Sequence, residues 1–149
     1  PSVVQRALTH PGDIVLCVDT EWRARYVDRS QHPEDDAEKV IADGDRIVRI
    51  ERSISSEQAS GEDIGVARFS AGGARALRDY YHQARRAFSG TIWRDDASFE
   101  KAYLIHLFQY MIEDGVDVRM VTTDGEYMEI DTEEDYALAN VRWPQEYGD

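Results

Sequence analysis

Two carboxylates, Glu129 and Asp131, stand two residues apart in the segment YMEID near the end of the chain. Side chains alternate between the two faces of a β-strand. A strand here would place Tyr127 with both carboxylates on one face, and Met128 with Ile130 towards the core. Carboxylate oxygens are ligands for Mg²⁺, which typically takes one or two protein carboxylates together with substrate phosphates. One interpretation of the segment is therefore a metal or cation site.

The same acids also admit a purely structural interpretation. Asp131 or Thr132 can cap a following helix, and residues 133–135 are acids that the helix dipole favours in a first turn. The pattern Thr132-x-x-Asp135 is of the capping-box type. This interpretation accounts for the later acids. It leaves Glu129 unexplained, because a glutamate in the middle of a strand is unfavourable without a partner.

The elements that must position these residues alternate between strands and helices. Residues 13–19 are apolar on both faces and predict a strand covered by helices, which ends at Asp19. A long charged loop with Trp22 near its start follows, and loops of this length are often functional. Further strands are predicted over 39–43, 46–50, 64–69, 116–122 and 127–131, and helices over 1–10, 70–88, 98–115 and from 132. The predicted fold class is α/β, with a mixed, mainly parallel sheet flanked by helices.

The composition excludes several classes of binding partner. The chain has 149 residues, enough for one domain, and its net charge of -13 repels polymeric nucleic acid and anionic lipid. Cys17 is the only cysteine, which excludes a disulfide framework, and His10, His32, His82 and His106 show no metal-binding spacing. We recognise no run of transmembrane length and no signal peptide, so we expect a cytoplasmic protein with no membrane partner.

Four blocks of the sequence resemble a known family. The blocks are GEYMEIDTEEDYALANVRW, DIVLCVDTEWRARYVDR, GDRIVRIERSI and GEDIGVARFSAGGARAL, and the likeness runs from about residue 12 to residue 143. They resemble the metal-dependent nucleotidyltransferases of the GT-A-like fold. The likeness is closest to the phosphocholine and phosphonate cytidylyltransferases, a domain often fused behind phosphoenolpyruvate mutase. The implied reaction moves CMP from CTP to a small phosphonate or phosphocholine-like acceptor and releases pyrophosphate.

The resemblance implies roles for seven residues. Asp131 matches an aspartate that binds Mg²⁺, and Arg52 stands where the family has a lysine that meets the phosphate or phosphonate of the acceptor. The triplet IER replaces the usual IGK-like triplet, so the charge is kept while the shape of the cation changes. The acceptor pocket would be lined by Tyr127, Glu129 and Glu62, with Asp19 and Trp22 at the opening of the lid-like loop.

The family's Gly-rich loop, which cradles the triphosphate with backbone N–H groups, has no match in this sequence. We therefore expect residues 1–149 to form the C-terminal portion of a single nucleotidyltransferase domain, with the N-terminal nucleotide-binding part missing. The expected partners are CTP, a small phosphonate or phosphate acceptor, a second copy of the chain in a homodimer, and a fused phosphoenolpyruvate mutase domain. Two alternatives stay open. One is a non-catalytic fragment or interaction module of such a domain, and the other is a sugar-1-phosphate nucleotidyltransferase, which shares the fold.

Overall fold

A five-stranded sheet that closes into a barrel forms the centre of the computed structural model, which describes residues 2–146. The order of strands around the barrel is β1-β4-β2-β3-β7, and a separate two-stranded sheet pairs β5 with β6. The strands are β1 Ile14–Asp19, β2 Lys39–Asp43, β3 Arg46–Glu51, β4 Gly61–Phe69, β5 Ile92–Arg94, β6 Ala97–Ser98 and β7 Val118–Thr123. The helices are α1 Ser2–Thr9, α2 Ala71–Phe88, α3 Leu104–Glu113 and α4 Glu133–Glu146.

Strand β1 is buried along its whole length, as its apolar sequence predicts. It pairs in parallel with β7, from Ile14 opposite Val118 to Asp19 opposite Thr123. The mixed α/β class is confirmed, but the expectation of a mainly parallel sheet is wrong. Among the described residues β1–β7 is the one parallel pair, and the other pairings are antiparallel. The chain reverses direction in the β2–β3 hairpin and again where β4 pairs with β1. An apolar sequence shows that a strand is buried on both faces, but it does not show the direction of the neighbouring strands.

Helices cover both faces of β1. Val3 and Ala7 of α1 pack with Val15 and Cys17 on one face. On the other face, residues of α2 and α3 pack with Ile14, Leu16 and Val18 in the largest apolar cluster. Burial raises the pKa of Cys17 to about 11, so the thiol stays protonated at neutral pH.

The long helix α2 begins where the sequence predicts. Ser70 is its N-cap, and the Ser70 Oγ accepts hydrogen bonds from the backbone N–H groups of Gly72 and Gly73, both at 3.1 Å. At Gly73 the helix approaches β1 so closely that a Cβ atom would lie 2.2 Å from the carbonyl oxygen of Asp13. The first turn of α2 is therefore fixed against the start of β1.

The helix predicted to start near Ser98 begins instead at Leu104. The preceding residues form the β5–β6 hairpin, which turns at Asp95 and Asp96 with φ angles of 49° and 55°. At the start of α3, the Nδ1 of His106 accepts from the backbone N–H of Tyr103 at 3.2 Å, while its Nε2 lies 2.7 Å from Asp95 Oδ2. The hairpin is thus attached to the start of the helix, and His106 has a structural role.

The strand predicted over residues 127–131 is wrong. After β7 the chain turns at Gly125 and Glu126, with φ angles of 150° and 64°. The segment then runs without pairing to any strand of the described chain. Ile130, expected in the core, is 52% exposed. Helix α4 does open with the predicted capping box, in which the Asp135 N–H donates to Thr132 Oγ1 at 3.1 Å and the Thr132 N–H donates to Asp135 Oδ2 at 2.9 Å.

None of the helices described within residues 2–146 combines the length and the apolar character needed to cross a bilayer.

Candidate functional site

Several carboxylates line one cavity, which we call the acidic cavity. Its volume is about 420 Å³. It lies between the long loop 20–38, the ends of β3 and β4, and the unpaired segment before α4. Its lining residues are Tyr26, Gln31, His32, Asp36, Glu38, Arg52, Glu62, Asp63, Gly65, Tyr103, Glu129, Asp131 and Thr132. Four residues singled out from the sequence therefore share one cavity: Arg52, Glu62, Glu129 and Asp131.

A second cavity adjoins the first and shares Glu62 and Glu129 with it. It measures about 240 Å³, and we call it the arginine cavity because Arg25, Arg29 and Arg142 line it. Its further lining residues are Ala24, Val27, Tyr127, Met128, Asp135 and Leu138. The predicted acceptor residue Tyr127 thus faces the arginine cavity and not the acidic cavity.

Asp19 and Trp22, predicted to line the pocket, are not among the lining residues of either cavity. Asp19 is fully buried. Its Oδ1 accepts from the backbone N–H of Glu21 at 2.8 Å, and its Oδ2 accepts from Arg25 Nε at 3.2 Å and from Tyr127 OH at 3.1 Å. Trp22 is also buried, and its ring packs edge-on against Tyr26 with the centroids 5.8 Å apart. The two residues hold Tyr127 and Tyr26 in place.

Glu62 stands on the wall between the two cavities and is buried. The hydroxyl of Tyr26 donates a hydrogen bond to Glu62 Oε1. Burial raises the pKa of Glu62 to about 7, although the hydrogen bond from Tyr26 acts in the opposite direction. The carboxyl therefore titrates near neutral pH, where it can either accept or donate a hydrogen bond to a ligand.

Asp63, the next residue of β4, was not singled out from the sequence. Only 8% of the residue is exposed. Burial and then the charge of Glu38 raise its pKa to about 8, while a hydrogen bond from the backbone of Gly65 acts against them. Its Oδ1 has no hydrogen-bond partner within residues 2–146. The pairing of β1 with β4 shifts register between Leu16 and Val18. The register shift lies next to Glu62 and Asp63, two successive residues of β4 that both line the acidic cavity.

Arg52 brings a positive charge to the acidic cavity. Its guanidinium lies over the ring of Tyr103, 4.0 Å from the centroid, and its NH2 group donates to Glu38 Oε1 at 3.4 Å. The Nε of Arg52 is buried and has no partner in the part of the chain that the structure describes. A guanidinium restrained by an aromatic ring and a carboxylate at a cavity wall can bind an anionic oxygen through its remaining N–H groups.

His32 lies against Asp131 on the wall of the acidic cavity. Its Nδ1 is 3.2 Å from Asp131 Oδ2 and 2.6 Å from the NH2 group of Arg29. An arginine can only donate, so Nδ1 accepts from it, and two acceptors then face each other across the distance to Asp131. One ligand atom each from His32, Glu129 and Asp131 lie within 4.8 Å of one another. A cation placed among them would relieve the repulsion.

Sequence reasoning missed both His32 and Arg29. Arg29 is 5% exposed and donates from Nε to Asp135 Oδ1 at 2.6 Å. Burial opposes ionisation of Asp135, but hydrogen bonds from Arg29 and Thr132 outweigh it and hold the pKa of Asp135 at about 2. Nothing in the local sequence marks these residues, because the groups that they contact follow about a hundred positions later in the chain.

Comparison with known proteins gives this cavity its context. No family model matches the chain. The chain is 24% identical over 129 residues to the CTP:phosphoglutamine cytidylyltransferase of Campylobacter jejuni, an alignment that covers 86% of this chain and 49% of that protein.

A solved structure shows the same fold. The inositol-1-phosphate CTP transferase from T. maritima superposes with a TM-score of 0.56 and 21% sequence identity, over 91% of this chain and 46% of that one. The chain thus spans about half the length of the relatives it matches. Both proteins are named as CTP transferases.

Proposed function

We propose that this chain carries the acceptor site of a cytidylyltransferase that moves CMP from CTP to a small phosphonate or phosphocholine-like acceptor. The observation that supports it most is the acidic cavity, where Arg52 and the carboxylates of Glu129 and Asp131 meet in one space. An oxygen of the acceptor attacks the α-phosphorus of CTP, the bond to the β-phosphate breaks, and pyrophosphate leaves. The reaction needs no covalent enzyme intermediate, so positioning and charge neutralisation are the protein's tasks.

Arg52 binds the anionic end of the acceptor in this proposal. Its place on the wall of the acidic cavity supports the role, because the side chain keeps 30% exposure while Tyr103 and Glu38 restrain the guanidinium. Glu38 holds the other side of the guanidinium through the hydrogen bond to Oε1. A charged donor of this kind orients a phosphate or phosphonate more sharply than a lysine would.

The donor set of His32, Glu129 and Asp131 fits a divalent cation. Asp131 and Glu129 supply the hard oxygens that Mg²⁺ prefers, and His32 offers a third atom that borders on them. When bound, Mg²⁺ would supply positive charge beside the reacting phosphates. The capping box keeps this group in place, since the backbone N–H of Asp131 donates to Asp135 Oδ2 at 3.1 Å and leaves the Asp131 carboxylate facing the cavity.

The other residues predicted from the sequence have supporting roles in this proposal. Glu62 would meet the polar group of the acceptor at the wall between the cavities. Trp22 packs against Tyr26. Asp19 accepts hydrogen bonds from Arg25 and Tyr127 and so fixes both side chains. A homodimer and a fusion to a phosphoenolpyruvate mutase domain stay predictions of the resemblance, and size-exclusion chromatography of the intact gene product tests the first.

A second candidate acceptor class is a cyclic polyol or sugar 1-phosphate. The name of the T. maritima structure, an inositol-1-phosphate CTP transferase, favours it. The non-catalytic alternative is an interaction module without turnover. It is supported by the coverage of the relatives, since the chain spans about half of their length.

The test is release of pyrophosphate from CTP by the full-length protein with a panel of acceptors: phosphonates, phosphocholine, phosphorylated amides and inositol 1-phosphate. We expect turnover with a small phosphonate or phosphocholine-like acceptor, and its loss in Asp131→Asn with the fold retained by circular dichroism. Glu133→Gln, an exposed acid two residues further on, is the control and should keep full activity. Turnover by Asp131→Asn at saturating Mg²⁺ would contradict the role of Asp131.

Arg52→Ala tests whether Arg52 binds the acceptor or the nucleotide. We expect the acceptor KM to rise about ten- to a hundredfold, because a charge-assisted hydrogen bond is lost, while the KM for CTP changes little. Arg49→Ala, in the strand β3 that precedes Arg52 and paired with Glu51, serves as the matched control. An equal rise in both KM values would show that Arg52 does not anchor the acceptor.

A further inference from the structure

A third cavity, which we call the aromatic pocket, lies between α2, the β5–β6 hairpin and the start of α3. Its volume is about 240 Å³. Every residue that lines it is aromatic or aliphatic, and the rings belong to Tyr81, Trp93, Phe99 and Tyr103. Among these residues, Tyr103 alone also lines the acidic cavity. The function proposed above therefore leaves the pocket unexplained.

Ring contacts form the walls of the aromatic pocket. The centroid of Phe99 lies 5.7 Å from that of Tyr81 and 5.5 Å from that of Trp93. The walls are still accessible, since Tyr81 is 42% exposed, Tyr103 51% and Leu104 54%. Large apolar side chains that cluster on a surface mark sites of interaction. The volume lies below the range of about 300–1,000 Å³ that is typical of small-molecule sites, so the pocket suits a single anchoring side chain.

The α2 side of the pocket carries two guanidinium groups. On a helix surface the neighbours of a residue are those three and four positions away, and for Tyr81 these include Arg78 and Arg85. Both arginines are exposed. Arg85 has no ion pair within residues 2–146, and Arg78 has one, to the exposed Asp79 at 3.6 Å. An exposed pair of this kind contributes little, so both arginines are able to bind an external carboxylate.

The acids of the hairpin side are already engaged. The carboxylate of Glu100, which follows Phe99, accepts hydrogen bonds from residues 89 and 90 at 2.7 and 3.0 Å. Asp95 lies 2.7 Å from the buried histidine of α3. Lys101 is exposed and forms no ion pair in the part of the chain that the structure describes. The charge available at the rim is therefore positive, although the whole chain carries a net charge of -13.

An apolar pocket with cations beside it is complementary to an apolar anchor with carboxylates beside it. We propose that the aromatic pocket is a docking site for an acidic segment of a partner protein. One aromatic side chain of that segment enters the pocket, and neighbouring carboxylates bind Arg78 and Arg85. Acids elsewhere on this chain oppose the approach only weakly, because charges more than about 8 Å apart are largely screened at physiological ionic strength. The docking site goes beyond the proposed function.

Three peptides with blocked ends probe the site: DEEFDEE, DEEADEE and NQQFNQQ. The second lacks the aromatic anchor, and the third has amides in place of the carboxylates. Isothermal titration calorimetry with the full-length protein should show DEEFDEE binding about tenfold or more tightly than DEEADEE, because the aromatic ring leaves water on binding. It should also bind about threefold or more tightly than NQQFNQQ. That second advantage should disappear in about 1 M NaCl, where the Debye length is about 3 Å.

Variants locate the peptide on the surface. Tyr81→Ser removes part of the pocket wall and Arg85→Glu reverses the charge at the rim, so each should weaken DEEFDEE about tenfold. Tyr136→Ser removes an exposed tyrosine of α4, and Arg75→Glu reverses an exposed charge of α2 that is no helix-surface neighbour of Tyr81. These two controls should bind DEEFDEE within about twofold of the parent. Thermal unfolding of all four variants checks that the fold is kept.

Several outcomes would overturn the docking site. Equal binding of DEEFDEE and DEEADEE would reduce the interaction to charge alone. Failure of DEEFDEE to bind, or full binding by Tyr81→Ser, would remove the pocket from the interaction. Sedimentation of the protein without peptide tests a different occupant. A dimer that both Tyr81→Ser and Tyr136→Ser abolish would place Tyr136 of a second copy in the pocket.

The proposed function is tested independently. Tyr81 and Arg85 line neither the acidic cavity nor the arginine cavity. Release of pyrophosphate from CTP can therefore fail while DEEFDEE binds as expected, which would overturn the proposed function and leave the docking site standing. The reverse result, turnover without peptide binding, would overturn the docking site alone.

Discussion

The Nε of Arg29 donates to Oδ1 of Asp135 at 2.6 Å, and this buried contact joins the long loop 20–38 to the first turn of α4. Hydrogen bonds from Ser30 and Gln31 to Glu134 join the same two elements nearer the surface. Both side chains are buried, at 5% and 1% exposure. The NH2 group of the same guanidinium reaches His32, and its NH1 group lies 3.9 Å from Glu129 Oε2. Arg29 thus fixes the positions of the candidate metal ligands without lining the acidic cavity itself.

Replacing Arg29 should destabilise the protein strongly. Arg29→Ala leaves the carboxylate of Asp135 buried without its counter-charge, and breaking a buried pair in this way costs about 3–5 kcal/mol. Urea unfolding followed by tryptophan fluorescence measures the free energy. Arg23→Ala in the same loop is the control, because its ion pair with Glu34 is exposed and should contribute less than about 1 kcal/mol. Equal losses in both variants would argue against the buried pair as a structural support.

The capping box offers a smaller and more local test. Thr132→Ala removes the acceptor for the backbone N–H of Asp135, and loss of such a cap costs about 0.5–2 kcal/mol in the free energy of unfolding. Thr132→Ser keeps the hydroxyl and should stay within about 0.5 kcal/mol of the parent. Calorimetric unfolding of the two variants compares them directly. A serine variant as unstable as the alanine variant would mean that the methyl group, and not the hydrogen bond, matters.

The two acids of β4 predict how stability depends on pH. The pKa of Glu62 is raised to about 7 and that of Asp63 to about 8, so between about pH 4 and pH 8 the folded state binds more protons than the unfolded state. The free energy of unfolding therefore falls as pH rises through this window. The stabilising contribution is fully present below the unfolded pKa and is lost above the folded pKa.

Urea unfolding between pH 5 and pH 8.5, with these limits set by the pKa values of about 7 and about 8, measures this slope. Carboxyls with lowered pKa values, such as Asp135, titrate at lower pH and do not contribute there. Asp63→Asn should flatten the slope, and the exposed control Asp43→Asn should leave it unchanged. Stability that increases with pH across the window in the parent protein would contradict the raised pKa values.

Much of the fold could be predicted because the sequence patterns that specify its helices and strands are local. The apolar run of β1, the alternating runs of the β2–β3 hairpin and the cap at Ser70 each lie within a few residues of the element that they specify. The meeting of Arg52 with Asp131 in one cavity was expected from the resemblance and not from spacing. The roles of these residues stay predictions.

The parts that sequence reasoning missed depend on distant partners. Residues 127–131 have the alternation of a strand, but alternation cannot supply a neighbouring strand to pair with, and the structure places none there. The start of α3 was placed too early because a short 3-10 helix, Phe99–Lys101, follows Ser98 and the chain straightens again before α3 begins at Leu104. His32 joined the site only through its contacts with Arg29 and Asp131.

Gly61 tests whether the close approach of β4 to β1 positions the acids that follow. A Cβ atom at this position would lie 2.5 Å from Val18 Cγ1 and 2.6 Å from the carbonyl oxygen of Asp19. The backbone oxygen cannot move without disturbing β1, so Gly61→Ala should cost about 1–3 kcal/mol of stability and shift Glu62 and Asp63 in the cavity. Gly72→Ala is the control, since a Cβ there meets its nearest neighbours at an ordinary 3.4 Å. Within an α-helix alanine is favoured over glycine, so this variant should be neutral or more stable. If Gly61→Ala matched Gly72→Ala in melting temperature and in acceptor KM, the close approach would have no part in forming the site.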